Sequence, residues 1–253
     1  LIGILLWIVE LGRVDVQVEV SKLSSHLAMP RTGHFEAVLH VFGYLRLKFN
    51  ARLVLDPTYP LIIDDEFPIY NWTQFYGEVQ EPKPSNTPVP RGKEVDCRLF
   101  VDSDHAGDQS SRRSRSGLIV YLNMAPIKWI SKRQATVETS VFGAEFVALK
   151  QGIEYLRGLR YKLRMMGVEV SGPSYIYGDN MSVVTNSSKP ESTLKKKSNS
   201  ICYHAVRESV AMGESLVTHI KGNDNVADVL TKSVVGQKRR KLVSKILYDV
   251  YDD

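Results

Sequence analysis

The order of its predicted elements places this chain in the α/β class, as a mixed sheet of five strands flanked by helices. Three observations carry this prediction. Residues 96–235 contain, in order, three predicted strands, a long helix, a strand, two short helices, a strand and a further helix. The long helix has one apolar face of the kind that packs on a sheet. A proline-rich stretch over 57–95 separates this part from a small helical segment that precedes it.

Five short segments have the composition of β-strands, because β-branched and aromatic residues in them are bounded by turn-forming residues. These strands are predicted over residues 97–102, 117–122, 127–131, 175–179 and 214–220, with a turn over 123–126. Apolar residues at helical spacing, together with stop signals such as Gly167, predict the helices. The helices are predicted over residues 138–166, 181–187 and 200–212, from 225 onward, and over 237–248.

The N-terminal part differs in composition from the rest. Apolar stripes predict helices over 14–27 and 32–48, and a strand or hairpin is expected between 53 and 76. Seven of the eleven prolines lie between Pro57 and Pro90, so much of that stretch can be neither helix nor central strand. The predicted organisation is a helical segment over 1–56, a linker over 57–95, an α/β domain over 96–235 and a C-terminal helix or tail over 236–253.

Composition excludes several classes of protein. Hydrophobic residues make up 43% of the 253 residues and charged residues 24%, which is ordinary for a globular protein. Two cysteines are too few for a disulfide scaffold and lack zinc spacing, so a reducing compartment is expected. The apolar opening run over 1–9 is too short to cross a bilayer and has no signal-peptide pattern, so we interpret it as the interior of a longer, non-secreted chain. The net charge of +5 permits a polyanionic partner.

One carboxylate lies where an apolar residue is expected. On the long predicted helix, Glu145 falls on the apolar face, one turn after Phe142 and one turn before Leu149. An ionised carboxylate that faces a sheet is costly unless a cation or a network of donors meets it. An edge glutamate that pairs with a lysine explains the position equally well when it is considered alone.

Three further acids favour the interpretation that a cation or a network of donors meets Glu145. Asp102 and Asp179 each end an apolar predicted strand, where open α/β sheets usually place their chemistry, although both would also serve as turn or capping residues. Asp228 begins a predicted helix, where the helix dipole alone would favour an acid. Four acids on separate elements repel each other unless hard cations neutralise them. Oxygen ligands favour Mg²⁺ or Mn²⁺, and a pair of such ions is the usual arrangement for phosphodiester cleavage.

Seven stretches, in order along residues 97–232, resemble the ribonuclease H domain of copia-type LTR retrotransposon polyproteins. Each stretch is weak alone, whereas the ordered set is specific. The matching stretches are Val101-Asp-Ser-Asp-His-Ala-Gly-Asp108, Arg113-Ser-Arg-Ser-Gly117, Pro126-Ile-Lys-Trp-Ile-Ser-Lys132, Gly143-Ala-Glu-Phe-Val-Ala-Leu149, Tyr177-Gly-Asp-Asn180, Tyr203-His-Ala-Val-Arg-Glu208 and Ala227-Asp-Val-Leu-Thr-Lys232.

The resemblance implies a specific activity. It implies an acidic quartet of Asp102, Glu145, Asp179 and Asp228 that holds two Mg²⁺ or Mn²⁺ ions and hydrolyses the RNA strand of an RNA/DNA hybrid during reverse transcription. It also implies that residues 1–56 are the thumb or connection end of an upstream reverse transcriptase, a partner in the same polyprotein. The expected location is a cytoplasmic virus-like particle, and also the nucleus, with no membrane association.

Three polar residues near the quartet have open roles. Asp104 lies two residues after Asp102 on the same strand face and competes with it as the first ligand, although the resemblance favours Asp102. The histidine that many ribonucleases H carry just before the last acid is missing from the loop over 220–226, and His219 is expected to be structural. Asp224 is expected to cap a helix rather than to act as an outer acid.

Basic residues are expected to hold the nucleic acid through its phosphates. Arg112, Arg113 and Arg115 are the main candidates because they follow the first strand close to Asp102. Further candidates are Lys196, Lys197 and Asn180. A solvated basic loop accounts for any one cluster equally well. Trp129 is expected to belong to the core rather than to stack on a base.

Two alternatives to the hybrid-cutting enzyme remain open. The same arrangement of acids serves other nucleases of the ribonuclease H fold, such as an exonuclease or a DNA strand-transfer enzyme. A decayed retroelement fragment with intact acids would instead be a catalytically silent nucleic-acid-binding or assembly module. Cleavage assays on a panel of substrates distinguish the three.

Overall fold

The computed structural model describes residues 1–194 and 197–251. The N-terminal part is helical, as expected, with 3-10 turns at Val14–Val16 and Asp64–Glu66. Its regular elements are α1 (Ile2–Glu10), α2 (Gln17–Ser24), α3 (Thr32–Leu47), β1 (Arg52–Leu53) and α4 (Thr73–Tyr76). The helix predicted over 14–27 is a 3-10 turn at Val14–Val16 followed by α2, because the chain bends between the two.

Residues from Cys97 onward form the α/β part of the molecule. Its elements, in order, are β2 (Cys97–Asp104), β3 (Arg115–Leu122), β4 (Ala125–Arg133), α5 (Val141–Met165), β5 (Ser174–Gly178), α6 (Met181–Ser188), α7 (Ser200–Ala211), β6 (Ser215–His219), a 3-10 helix at Val226–Leu230, α8 (Gly236–Val243) and β7 (Leu247–Tyr248). All five predicted strands are present, within two residues of their predicted ends. The turn between β3 and β4 contains Asn123 at a positive φ of 53°, a conformation that asparagine tolerates well.

The main sheet is mixed and has the order β4-β3-β2-β5-β6. Strand β3 runs antiparallel to both β2 and β4, whereas β5 pairs in parallel with both β2 and β6. The carboxyl ends of β2 and β5 therefore meet at one edge of the sheet. This five-stranded mixed sheet flanked by helices confirms the predicted ribonuclease H-like fold class.

Helices α5, α6 and α7 cover one side of the sheet, which we call the first face. Side chains alternate along the strands, so Leu99 and Leu118 point to this face and meet Phe146 and Leu156 of α5. Helix α5 approaches β2 closely at Gly152, where an added Cβ would lie 2.4 Å from Leu99 Cδ2. This face is the larger core of the molecule.

The other side, the second face, is covered by segments from both ends of the chain. Ile119 and Trp129 are buried there against α1, α2 and α3 on one side and against the 3-10 helix and α8 on the other. Trp129 is 6% exposed and its indole N–H donates to the carbonyl of Val9 at 2.9 Å, so its expected core position is confirmed. The predicted helix over 237–248 ends at Val243, because residues 247–248 form β7, which pairs with β1.

The proline-rich stretch has little regular structure but contacts the α/β part. Phe67 and Trp72 are buried, and Phe67 packs edge-on against Tyr175. Glu81 binds both Arg160 and Arg164 of α5, with N···O distances of 2.7 and 2.6 Å. The stretch thus runs along the domain rather than away from it, and the boundaries at 56 and 95 stay predictions. Within the described ranges, no helix combines the length and the apolar character needed to cross a membrane.

Candidate active site

Three of the four predicted acids meet at one edge of the sheet. Asp102 lies near the end of β2, Asp179 directly follows β5, and Glu145 lies in the second turn of α5. One carboxylate oxygen from each lies within 4.8 Å of the others. This convergence follows from the topology, because β2 and β5 are parallel neighbours whose carboxyl ends point the same way.

Two members of the triad are buried and the third, Asp179, is partly buried, and the three acids repel one another. Asp102 is 2% exposed and Glu145 6%. Burial, with the negative charge of Asp228, raises the pKa of Asp102 to about 7. Burial and the charges of Asp102 and Asp179 raise the pKa of Glu145 well above its usual value. Burial, followed by the charge of Asp228, also raises the pKa of Asp179. A site built this way favours whatever brings positive charge to it.

A few hydrogen bonds hold the triad. The hydroxyl of Thr231 donates a short hydrogen bond to Asp102, and the backbone N–H of Ser103 lies 3.4 Å from Glu145 Oε1. The side-chain amide of Asn225 donates to the carbonyl of Val101 at 2.9 Å, which ties the segment before the 3-10 helix to β2. The 3-10 helix is thereby fixed against the strand that carries Asp102.

Asp228, the fourth predicted acid, lies beside the triad and is held by two lysines. Its carboxylate forms an ion pair with Lys232 at 2.6 Å and another with Lys238. Burial opposes ionisation of Asp228, but these ammonium groups outweigh it and lower its pKa. Lys232 Nζ also lies 3.7 Å from Asp102 Oδ2, so it links the two acids. Sequence reasoning did not predict these two ion pairs, although Lys232 at four residues from Asp228 has helical ion-pair spacing.

Asp104 does not join the triad. It points to the second face, like Asp102, but its carboxylate accepts a short hydrogen bond from the backbone N–H of Arg115 on the neighbouring strand. Burial raises its pKa, and that hydrogen bond and the charge of Arg115 oppose the rise. Among the described residues, the carboxylate cluster therefore includes Asp102 and not Asp104.

Three neighbouring polar residues take structural positions. His219 contacts the backbone carbonyl of Asp179 at 3.2 Å through Nε2. The expectation that Asp224 caps a helix is wrong: Asn225 caps the 3-10 helix by accepting from Ala227 N–H, and Asp224 pairs with Lys241 and Lys245. The reason is that the 3-10 helix begins one residue later than an Asp224 cap requires.

The predicted nucleic-acid-binding residues are dispersed. Arg112 is exposed and Arg113 half-buried, whereas Arg115 is buried, with its guanidinium bound to Ser21 and Ser131. Asn180 caps α6 by accepting from the N–H groups of residues 182 and 183. Lys197 is exposed, and Lys196 lies outside the described residues.

Transposon polyproteins are among the known proteins with similar sequences. No protein-family model matches the chain. It is 26% identical over 234 residues to the retrovirus-related Pol polyprotein from transposon RE1 of Arabidopsis thaliana. This alignment covers 92% of this chain and 14% of that polyprotein. It is 25% identical over 237 residues to the corresponding polyprotein from transposon TNT 1-94 of Nicotiana tabacum, which covers 94% of this chain and 15% of that polyprotein. These relatives confirm the resemblance to retrotransposon polyproteins, and the chain spans about one seventh of their length.

A solved structure is also similar. LC11-RNase H1, isolated from compost, aligns with 59% of this chain and 96% of its own, at 17% sequence identity and a TM-score of 0.43.

Proposed function

We propose that the chain is a metal-dependent endoribonuclease that hydrolyses the RNA strand of RNA/DNA hybrids. The observation that carries the proposal is the triad of Asp102, Glu145 and the partly buried Asp179, whose oxygens converge at the carboxyl edge of the sheet. Raised carboxyl pKa values mark groups that a cation would stabilise, and perturbed groups of this kind are typical of functional sites.

The residues present fit a divalent cation. All donors in the triad are carboxylate oxygens, which suit Mg²⁺ or Mn²⁺ better than softer metals. Asp102, Glu145 and Asp179 would hold one ion, and Asp102 with Asp228 a second one. When bound, two such ions supply the positive charge that activates water and stabilises the leaving oxygen in phosphodiester hydrolysis.

The chain's own groups position these ligands. The hydroxyl of Thr231 orients the carboxylate of Asp102, and the amide of Asn225 anchors the segment that carries Asp228 to β2. Lys232 neutralises Asp102 and Asp228 and would give way where a second ion is bound. The site lies at a sheet edge that a nucleic-acid backbone can reach, since Asp179 is only partly buried.

The substrate and the biological setting come from the relatives and the motifs. The chain is similar to retrovirus-related Pol polyproteins from transposons, and its seven ordered motifs resemble the ribonuclease H domain of such polyproteins. We infer that the hybrid is the one made during reverse transcription, with the polyprotein's reverse transcriptase as partner. Arg112, Arg113, Arg115, Lys196, Lys197 and Asn180 would contact its backbone. The reaction would take place in a cytoplasmic virus-like particle and also in the nucleus.

The test is cleavage of an end-labelled RNA/DNA hybrid with Mg²⁺ or Mn²⁺, beside single-stranded RNA and duplex DNA. We expect cleavage of the hybrid alone, and a loss of at least about a thousandfold in Asp179→Asn, because the variant removes charge that binds metal. The matched control is Asp65→Asn, an exposed acid outside the site, with wild-type activity expected. Full activity of Asp179→Asn with metal present would contradict the proposed metal-dependent mechanism, and cleavage of duplex DNA would favour another nuclease of this fold.

One observation favours a second candidate, a catalytically silent nucleic-acid-binding module. Both oxygens of Asp228 are taken by lysine ammonium groups, which would exclude a second ion if the pairs persisted. The same assay decides. If both the wild type and Asp179→Asn bind the hybrid and neither cleaves it, the chain is the catalytically silent binding module.

A further inference from the structure

A cavity of about 390 Å³ lies between α2 and the loop that joins β2 to β3, and none of the three triad acids lines it. It is built from three separate parts of the chain. Four cationic side chains and two carboxylates line it: Lys22, Arg113, Arg115, Arg133, Asp104 and Asp108. Its formal charge is therefore positive, although the N-terminal segment contributes only one of the cations.

Both carboxylates in the cavity wall are already satisfied. Asp108 pairs with Arg133 at 2.6 Å and accepts from the backbone N–H groups of Ser110 and Ser111, and these contacts lower its pKa to about 2. Asp104 accepts from the backbone N–H of Arg115. Asp108 therefore offsets the charge of Arg133 and Asp104 that of Arg115, which leaves two of the four cations without a paired acid.

Lys22 and Arg113 are those remaining cations. Both are half-buried, and neither forms a direct ion pair among the residues that the structure describes, although Asp104 and Glu19 act on Lys22 electrostatically from a greater distance. Burying part of a charged group without a direct ion pair is costly, so such a pair of cations is expected where an anion binds. Arg113 offers a planar fork of donors and Lys22 a point charge, a combination suited to phosphate oxygens.

The cavity adjoins the candidate active site. Asp104 in its wall is two residues beyond Asp102 on β2, a rise of about 7 Å along the strand, and both side chains point to the second face. Lys232, which contacts Asp102, is close enough to act electrostatically on Asp104. A polyanionic chain lying over the triad can therefore reach the cavity within a short length of backbone.

We propose that this cavity binds a backbone phosphate of the nucleic-acid substrate next to the cleaved bond, through Lys22 and Arg113. The proposal rests on the proposed function for its substrate, and it makes helix α2 part of the substrate-binding surface. The N-terminal segment then has a role beyond covering the sheet. A solvated groove that holds no anion is the competing explanation.

The experiment measures binding separately from cleavage. A fluorescent RNA/DNA hybrid is titrated with the full chain in EDTA, by anisotropy, over a series of salt concentrations. The variants are Lys22→Ala, Arg113→Ala and the double variant. Lys162→Ala removes one charge from an exposed site at the far end of α5 and is the matched control. Lys22→Arg keeps the charge, and thermal melts verify that each variant is folded.

Lys22→Ala and Arg113→Ala should each weaken binding about tenfold, in line with the loss of one charge-assisted hydrogen bond. The slope of log affinity against log salt should fall by about 1 in the double variant, because one phosphate contact is lost. Lys162→Ala and Lys22→Arg should bind within about twofold of wild type, since neither removes the phosphate contact.

Unchanged affinity and slope in the folded double variant overturn the proposal, as does a wild-type chain that does not bind the hybrid. An equal loss in Lys162→Ala also overturns it, because the effect would then be general electrostatics. Failure of the proposed function is distinguishable, since it appears as intact hybrid in the cleavage assay with Mg²⁺ while binding still responds to Lys22 and Arg113.

Discussion

The two faces of the sheet are covered in different ways. Helices α5, α6 and α7 cover the first face, and all of them come from the stretch between β4 and β6. The second face is covered by α1, α2 and α3 from one end of the chain and by the 3-10 helix and α8 from the other. The first face is therefore assembled by neighbours in sequence, and the second by distant segments.

The candidate site uses both faces. Glu145 comes from the helix that covers the first face, whereas Asp102 points to the second face and meets Thr231 and Lys232 there. The triad itself comes from the sheet and from α5, whereas the second layer supplies Thr231 and Lys232, which contact Asp102. The C-terminal segment therefore belongs to the environment of the site, and each of the following predictions tests one layer.

The largest effect is expected from removing the cover of the second face. Deleting residues 1–50 uncovers Ile119, Tyr121 and Trp129 and removes seven buried aliphatic side chains that pack near them. The loss should exceed about 5 kcal/mol, which is comparable to the whole stability of a domain. We expect the fragment to lose its cooperative thermal transition and its near-UV circular dichroism.

The control for this deletion is Trp7→Ala, on the exposed side of α1, where the ring is 66% exposed. This variant should melt within a few degrees of the wild type. A 51–253 fragment with an unchanged melting temperature would instead support the boundary at residue 56 that the sequence predicts.

The second prediction compares one glycine on each face. An added Cβ at Gly117 would lie 2.6 Å from Thr231 Cγ2 and 2.9 Å from the backbone oxygen of Ala227, whereas at Gly152 the nearest atom is the flexible tip of Leu99. Backbone atoms move aside less easily than the tip of a side chain. Gly117→Ala should therefore lower the free energy of unfolding by about 3 kcal/mol and Gly152→Ala by about 1 kcal/mol, as measured by denaturant unfolding.

The pair also differs in its effect on the site. Gly117→Ala displaces Thr231 from Asp102 and should weaken the stabilisation of the fold by Mn²⁺, while Gly152→Ala should leave it unchanged. If both variants lost the same free energy of unfolding and were stabilised equally by Mn²⁺, the close approach of the 3-10 helix to the sheet would not be needed for the site.

The third prediction concerns pH in the absence of metal. The pKa of Asp102 rises from its ordinary value of 3.8 to about 7 in the folded chain, so the folded state takes up a proton that the unfolded state releases. The contribution of Asp102 to the free energy of unfolding should therefore fall as pH rises from about 4 to 7. At pH 8 with EDTA, Asp102→Asn should be more stable than the wild type by about 4 kcal/mol, and at pH 4 the two should be nearly equal.

Chemical denaturation at these two pH values checks the prediction, with Asp65→Asn as the control at an exposed acid. Adding Mn²⁺ should reverse the order at pH 8, because only the wild type keeps the full ligand set. A variant less stable than the wild type at pH 8 in EDTA would contradict the raised pKa.

The sheet, the long helix and the triad could be predicted because their signals are local. Strand composition located β2 to β6, and an acid on an apolar helix face indicated Glu145. The cover of the second face could not be predicted, since the apolar stripes of α2 and α3 show that these helices are buried on one side but not against what. The same limit applies to Glu81, whose partners on α5 lie about eighty residues away in sequence.

Asp228 shows a different limit. Its place beside the triad was predicted, but its lysine partners depend on how the 3-10 helix and α8 turn toward each other, and Lys238 belongs to a separate helix. The pairing of β1 with β7 was missed because each strand has only two residues, too few for a periodic pattern.

That pairing has a consequence for synthesis on the ribosome. Residue 52 can pair with residue 248 only after nearly two hundred further residues have been made, and Leu242, Val243 and Ile246 of the second face lie in that same later segment. A nascent chain that has already built the first face therefore presents an incompletely covered apolar sheet until residues 242–248 have been made. Chaperone dependence and aggregation during expression should be determined by how promptly this segment docks, rather than by the folding of the sheet itself.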